Sequence, residues 1–92
     1  MIKVNEYFEG NVKSLSLTTA DGPATVGVMK AGEYDFGTST KEIMTVTSGT
    51  LRVKLPGHDW ELFSSKDSFV IDANQRFQVK VEAEASYLCI YK

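Results

Sequence analysis

The sequence is short of the side chains that hold metals and staple small domains. It has one histidine, His58, and one cysteine, Cys89. A single cysteine closes no internal disulfide, which points to a reducing, cytoplasmic setting. Arginine occurs only twice, at Arg52 and Arg76. No apolar run approaches the roughly 20 residues of a membrane span. The opening Met1-Ile2-Lys3-Val4-Asn5-Glu6 lacks the apolar stretch of a signal peptide. A net charge of −2 gives no general attraction to nucleic acid or anionic lipid. Helical periodicity is absent, as are linkers, low-complexity tracts and convincing repeats.

What is present fits one small globular domain, residues 1–92, with 42% hydrophobic and 24% charged residues. A chain of this size buries roughly 60–65% of its unfolded surface, so association would add stability. Most segments alternate with a period of two, the mark of half-buried strands. Leu51–Leu55 and Phe77–Glu82 alternate most cleanly. Val12–Thr19, Thr25–Met29, Tyr34–Phe36, Ile43–Thr47, Trp60–Phe63, Phe69–Ile71 and Ser86–Tyr91 complete the set. Turn chemistry separates them: Ala20-Asp21-Gly22-Pro23, Lys30-Ala31-Gly32, Pro56-Gly57-His58-Asp59 and Asp72-Ala73-Asn74. Ser48-Gly49 between two strands predicts a compact hairpin. Many short strands in a small chain predict an all-β barrel or sandwich that curls its sheet closed to protect its edges.

One stretch carries more. Gly32–Gly49 reads GEYDFGTSTKEIMTVTSG. Its glycines and Glu42 match the frame of the first cupin motif, G-x5-H-x-H-x(3,4)-E-x6-G. Thr38 and Thr40 stand at the two histidine positions, and the spacer to Glu42 is short. Threonine hydroxyls are poor ligands for zinc, iron or manganese, which need several nitrogen or carboxylate donors at one point. His58 follows Pro56-Gly57 in a turn and reads as a solvated loop residue. No metal is expected.

Other pieces fall in order around this motif: Asn5-Glu6-Tyr7-Phe8-x-Gly10, Val26-Gly27-Val28-Met29, Glu42-x-Met44-Thr45-Val46-x-Ser48-Gly49-x-Leu51, and Ser86-Tyr87-Leu88-Cys89-x-Tyr91. Together they resemble the small single-domain cupins of the pyrimidine/purine nucleoside phosphorylase family, nearly end to end. Asp72-Ala73 departs from the Pro-Gly usual there, at one barrel-rim turn. The resemblance implies a jelly-roll-like cupin barrel with little or no helix. It also implies phosphorolysis: inorganic phosphate displaces a purine or pyrimidine base from C1′ of a nucleoside, giving free base and pentose 1-phosphate. No cofactor beyond the phosphate co-substrate is implied.

Such a site must hold phosphate under the sugar, tolerate positive charge on the sugar and stabilise the departing base. Arg52 and Arg76 are the candidates for phosphate, because a guanidinium offers paired charge-assisted hydrogen bonds. On a flat sheet both would face solvent; in a barrel they can face a lumen or a dimer contact. Lys41 is a further candidate. Glu42, at the cupin glutamate position, is the candidate catalytic group: it accepts hydrogen bonds from ribose or, with a raised pKa, donates one to the base. Thr38 and Thr40 offer hydroxyl contacts, and Tyr34, Phe36 and Phe77 a wall on which any base can stack. Trp60 and Cys89 read as packing residues.

Two other functions fit the same sequence: a barrel that binds a sugar or nucleoside without turning it over, and a metal-dependent dioxygenase or isomerase. A homodimer is expected, with the apolar segment Ile2–Phe8 pairing to a neighbour's sheet edge.

Overall fold

The structure is a computed structural model that describes residues 1–92. It contains ten strands and no helix. They are β1 (Val4–Tyr7), β2 (Val12–Thr19), β3 (Gly22–Met29), β4 (Gly32–Gly37), β5 (Glu42–Ser48), β6 (Thr50–Lys54), β7 (Trp60–Ser64), β8 (Ser68–Ile71), β9 (Arg76–Val81) and β10 (Ala85–Tyr91). All nine runs expected from alternation are strands. The tenth, β1, pairs antiparallel with β2 of its own chain, Val4 opposite Leu15 and Tyr7 opposite Val12.

The strands form a six-stranded sheet, ordered β1-β2-β3-β10-β5-β8, and a four-stranded sheet, ordered β4-β9-β6-β7. The two pack face to face as a jelly roll. The all-β cupin expectation holds, but the strands do not close into one continuous hydrogen-bonded barrel, because no strand of one sheet pairs with a strand of the other. Ser48-Gly49 shows why. It is not a hairpin: β5 pairs with β10 and β8, and β6 with β7 and β9. The dipeptide is instead the corner where the chain leaves one sheet for the other. Gly49 has φ +78°, and an added Cβ would come 2.9 Å from the Glu84 carbonyl oxygen, so only glycine fits.

Between the sheets lies the core. Leu51, Val53 and Val79 of the small sheet meet Val12, Met29 and Val46 of the large one, all nearly inaccessible to water. In β6, Leu51 and Val53 point in while Arg52 and Lys54 point out; in β9, Phe77, Val79 and Val81 point in while Arg76 and Gln78 point out. The pattern reverses in β2 and β3. There Ser14, Thr25 and Gly27 are buried, while Leu15, Leu17, Val26 and Val28 lie on the outer surface. The concave face of the large sheet is therefore aliphatic at one end and polar at the other.

Candidate functional site

A cavity of about 120 Å³ opens at that polar end. A water needs only about 10–15 Å³ on this measure, so the space holds a cluster of atoms and is not a packing defect. Its lining comes from both sheets. Tyr7, Ser14 and Met29 come from β1, β2 and β3; Tyr87, Cys89 and Tyr91 from β10; Glu42 and Met44 from β5; Phe36, Gly37 and Phe77 from β4 and β9. Apart from Gly37, which follows Phe36 at the end of β4, and Tyr7, which is half-exposed at the end of β1, they occupy the inward phase of their strands. The register fixes their neighbours, with Tyr91 opposite Glu42, Cys89 opposite Thr25 and Tyr87 opposite Gly27.

Glu42 is the only charged residue in the lining. Burial pushes its carboxyl pKa up, partly offset by a hydrogen bond in which the Cys89 thiol donates to Oε1 at 3.5 Å. Burial, with the Glu42 charge second, pushes the Cys89 thiol up to about 12, so this cysteine is a protonated packing group and not a nucleophile. The Tyr87 phenol is likewise pushed up to about 12 by burial. Tyr91 is raised too, mainly by burial, with its hydroxyl 3.0 Å from that of Thr25. At neutral pH the cavity thus presents neutral hydroxyls, a thiol and one carboxyl whose proton is held more tightly than usual.

On the opposite wall the rings of Phe36 and Phe77 stack, with centroids 5.5 Å apart and planes 26° from parallel. Tyr34, expected in the same wall, stands behind Phe36 at 6.2 Å. Its hydroxyl donates to the Lys30 carbonyl at 2.7 Å. Phe8 closes over both rings, 5.0 Å from Tyr34 and 5.4 Å from Phe36. It does so from the β1–β2 turn, where Phe8 and Glu9 both take positive φ, 53° and 59°. Aromatic contact across the two sheets offsets that local strain.

The remaining candidates lie outside the lining. Thr38 is buried, but its hydroxyl donates to the Asp72 carbonyl at 2.6 Å and accepts from the Gln75 N–H at 3.0 Å. It pins the Asp72–Gln75 turn, in which Asn74 takes φ 60°. Thr40 is exposed. Arg52 is paired with Glu82 at 3.5 Å on the outer face of the small sheet. Arg76 is paired with Asp35 at 3.2 Å. It too points outward, but unlike Arg52 it lies against a lining residue: its Nη1 is 2.9 Å from where a Cβ of Gly37 would stand. Trp60 is half-buried on the outer face, with the Lys80 ammonium 4.3 Å from its ring centre.

These donors do not fit a transition metal. No three His, Cys, Asp or Glu side chains gather at one point. Thr38 is committed to its turn, and His58 is exposed beyond β6. Sequence reasoning missed Tyr7, Ser14, Tyr87 and Tyr91. The signal for Ser14 was its place in the inward phase set by Val12, hidden because Leu15 and Leu17 drew the alternation to the other face.

Comparison with known proteins gives the family and the fold. A family model described as pyrimidine/purine nucleoside phosphorylase matches residues 2–91. A Pseudomonas fluorescens protein of that name is 58% identical over 93 residues, covering 100% of this chain and 99% of the relative. A crystal structure of a Vibrio parahaemolyticus protein of unknown function superposes with a TM-score of 0.92 at 46% identity, covering 97% of this chain and 96% of the other. An RmlC-like cupin from Shewanella frigidimarina, at 14% identity, shares the fold with a TM-score of 0.74 over 96% of this chain and 80% of its own.

Proposed function

Because the chain belongs to the pyrimidine/purine nucleoside phosphorylase family, we propose that the cavity between its sheets is where phosphate displaces the base of a purine or pyrimidine nucleoside. A phosphate oxygen forms a bond to C1′ as the C1′–N bond breaks. The electron pair leaves with the base, which takes up a proton, and pentose 1-phosphate remains. The observation that carries this reading is Glu42, a lone carboxyl in a lining of hydroxyls and rings, with its pKa raised by burial. In its protonated form it donates to the base as negative charge develops there. The stacked Phe36–Phe77 pair supports the base face, and stacking worth about 1–3 kcal/mol per base is indifferent to which base it is. That suits a site serving both classes.

Phosphate needs a cation, and the lining has none. Arg76 is our assignment. Its present partner Asp35 is exposed, and surface ion pairs of this kind contribute about 0–1 kcal/mol, so exchanging Asp35 for phosphate costs little. Gly37 has no side chain of its own, and the Arg76 guanidinium occupies the space beside it at the strand end. No metal enters the scheme.

We further propose a homodimer formed through the outer face of the large sheet. Leu15 of β2 stands beside Val26 of β3, and Val26 beside Leu88 of β10. Leu17 and Val28 extend the apolar surface. A second copy of the same face covers it symmetrically. The lone, buried Cys89 thiol supports a cytoplasmic location.

The deciding experiment incubates purified protein with uridine or adenosine, with and without phosphate. Phosphate-dependent release of free base is the expected result. Absence of release across several nucleosides overturns the reading.

A further inference from the structure

Gly27 and Tyr87 stand opposite each other across β3 and β10. A Cβ added at Gly27 would stand 2.4 Å from both the Tyr87 Cζ and its hydroxyl oxygen. Contacts that short do not occur, so the tyrosine lies where it does only because residue 27 has no side chain. The ring thereby crosses β3 towards β2, where Ser14 pairs with Gly27 in the sheet. Ser14 is itself held from behind, since the Asn5 side-chain amide donates to Ser14 Oγ at 3.2 Å and to Ser16 Oγ at 3.1 Å. Four adjacent strands thus contribute Asn5, Ser14, Gly27 and Tyr87 to one continuous polar row. Tyr87 and Ser14 face the cavity, opposite the Phe36–Phe77 stack.

Neutral hydroxyls braced by an amide, across a cavity from an aromatic wall, are suited to a polyhydroxylated ring whose flat substituent stacks on that wall. We propose that Tyr87 and Ser14 read the 2′,3′-diol of the sugar, and that Gly27 is the positioning residue that lays Tyr87 in place. This rests on the phosphorolysis reading for its substrate, but not for its geometry. A hydroxyl held in this way is both donor and acceptor, matching a sugar hydroxyl in either role.

Tyr87→Phe keeps the ring and removes only the hydroxyl. kcat/KM is measured for uridine and for 2′,3′-dideoxyuridine, in the native protein and the variant. The native protein prefers uridine, and Tyr87→Phe shrinks that preference by about three- to tenfold, the range of one neutral hydrogen bond, with the loss falling on uridine. Gly27→Ala shrinks the preference in the same direction, and the double variant loses no more than Gly27→Ala alone. A residue that merely packs would lower both substrates equally. An unchanged uridine preference in Tyr87→Phe, with unchanged melting temperature, overturns the assignment. If the native protein releases no base, phosphorolysis falls on its own account. The same two ligands are then compared by calorimetric binding, where an affinity ratio indifferent to Tyr87→Phe overturns the sugar-reading role.

Discussion

The two sheets obey the same alternation and put it to opposite use. In the four-stranded sheet, Leu51, Val53 and Val79 face inward and Arg52, Lys54 and Gln78 face water. In the β2–β3 half of the six-stranded sheet, Leu15, Leu17, Val26 and Val28 face outward, while Ser14, Thr25 and Gly27 share the interior with Val12 and Met29. A period of two identifies a strand and sorts its residues into two faces. It does not say which face is inside. A polar interior is stable here because its groups bond one another, as Asn5 does with Ser14 and Thr25 with Tyr91, leaving no buried side-chain nitrogen or oxygen without a partner.

The two sheets are expected to differ most in stability. Leu51→Ala is expected to cost about 2–5 kcal/mol in urea unfolding, the usual range for a buried leucine. Leu15→Ala, on the outer face, is expected to cost under about 1 kcal/mol within the protomer. Val26→Lys should leave the strands intact by circular dichroism while halving the mass seen by light scattering. Equal losses at Leu51 and Leu15 would mean that the sheets are not opposed in this way.

Activity gives the next test. Glu42→Gln is expected to lower kcat by about 10²-fold or more, because an amide cannot pass a proton to the base. A variant retaining full activity would remove Glu42 from that role. The two arginines separate next. Arg76→Ala should raise the KM for phosphate about tenfold with nucleoside KM little changed, the scale of one charge-assisted hydrogen bond. Arg52→Ala, paired away from the cavity with Glu82, should leave phosphate KM unchanged within about twofold. Equal effects at both positions would place phosphate elsewhere.

The smallest effect is in pH. The folded carboxyl of Glu42 has its pKa raised above the unfolded value of 4.5, chiefly by desolvation. The folded state therefore holds this proton more tightly than the unfolded chain. The associated stability is fully present below 4.5, is lost as pH rises through the folded value, and then levels off. Glu42→Gln should lack this decline, detected by urea midpoints at a series of pH values.

Legibility followed the same divide. β6 and β9 could be read with their faces, because charge marks the wet side and aliphatics the dry one. β2 and β3 could be read as strands but not oriented, since Ser14 and Thr25 look like solvent residues and Leu15 and Val26 like core. Glu42, Phe36 and Phe77 were legible in the cavity because a motif frame and aromatic character marked them. Tyr87 was not, because its place depends on the missing side chain of Gly27 on a strand some sixty residues earlier. The Ser48-Gly49 corner was misjudged as a hairpin because a turn dipeptide does not reveal which strands its flanks will pair with.

The sequence alone determined the number and type of most elements, the want of metal-holding side chains and the family, since each of these is carried by residues near one another in the chain or by their order along it. The tertiary structure decided which face of β2 and β3 is interior, which arginine lies against Gly37, and that a half-buried carboxyl, three tyrosines and a stacked phenylalanine pair surround one space. Those outcomes depend on strand register and sheet packing between residues distant in sequence, and local alternation has the same form whichever side is turned inward.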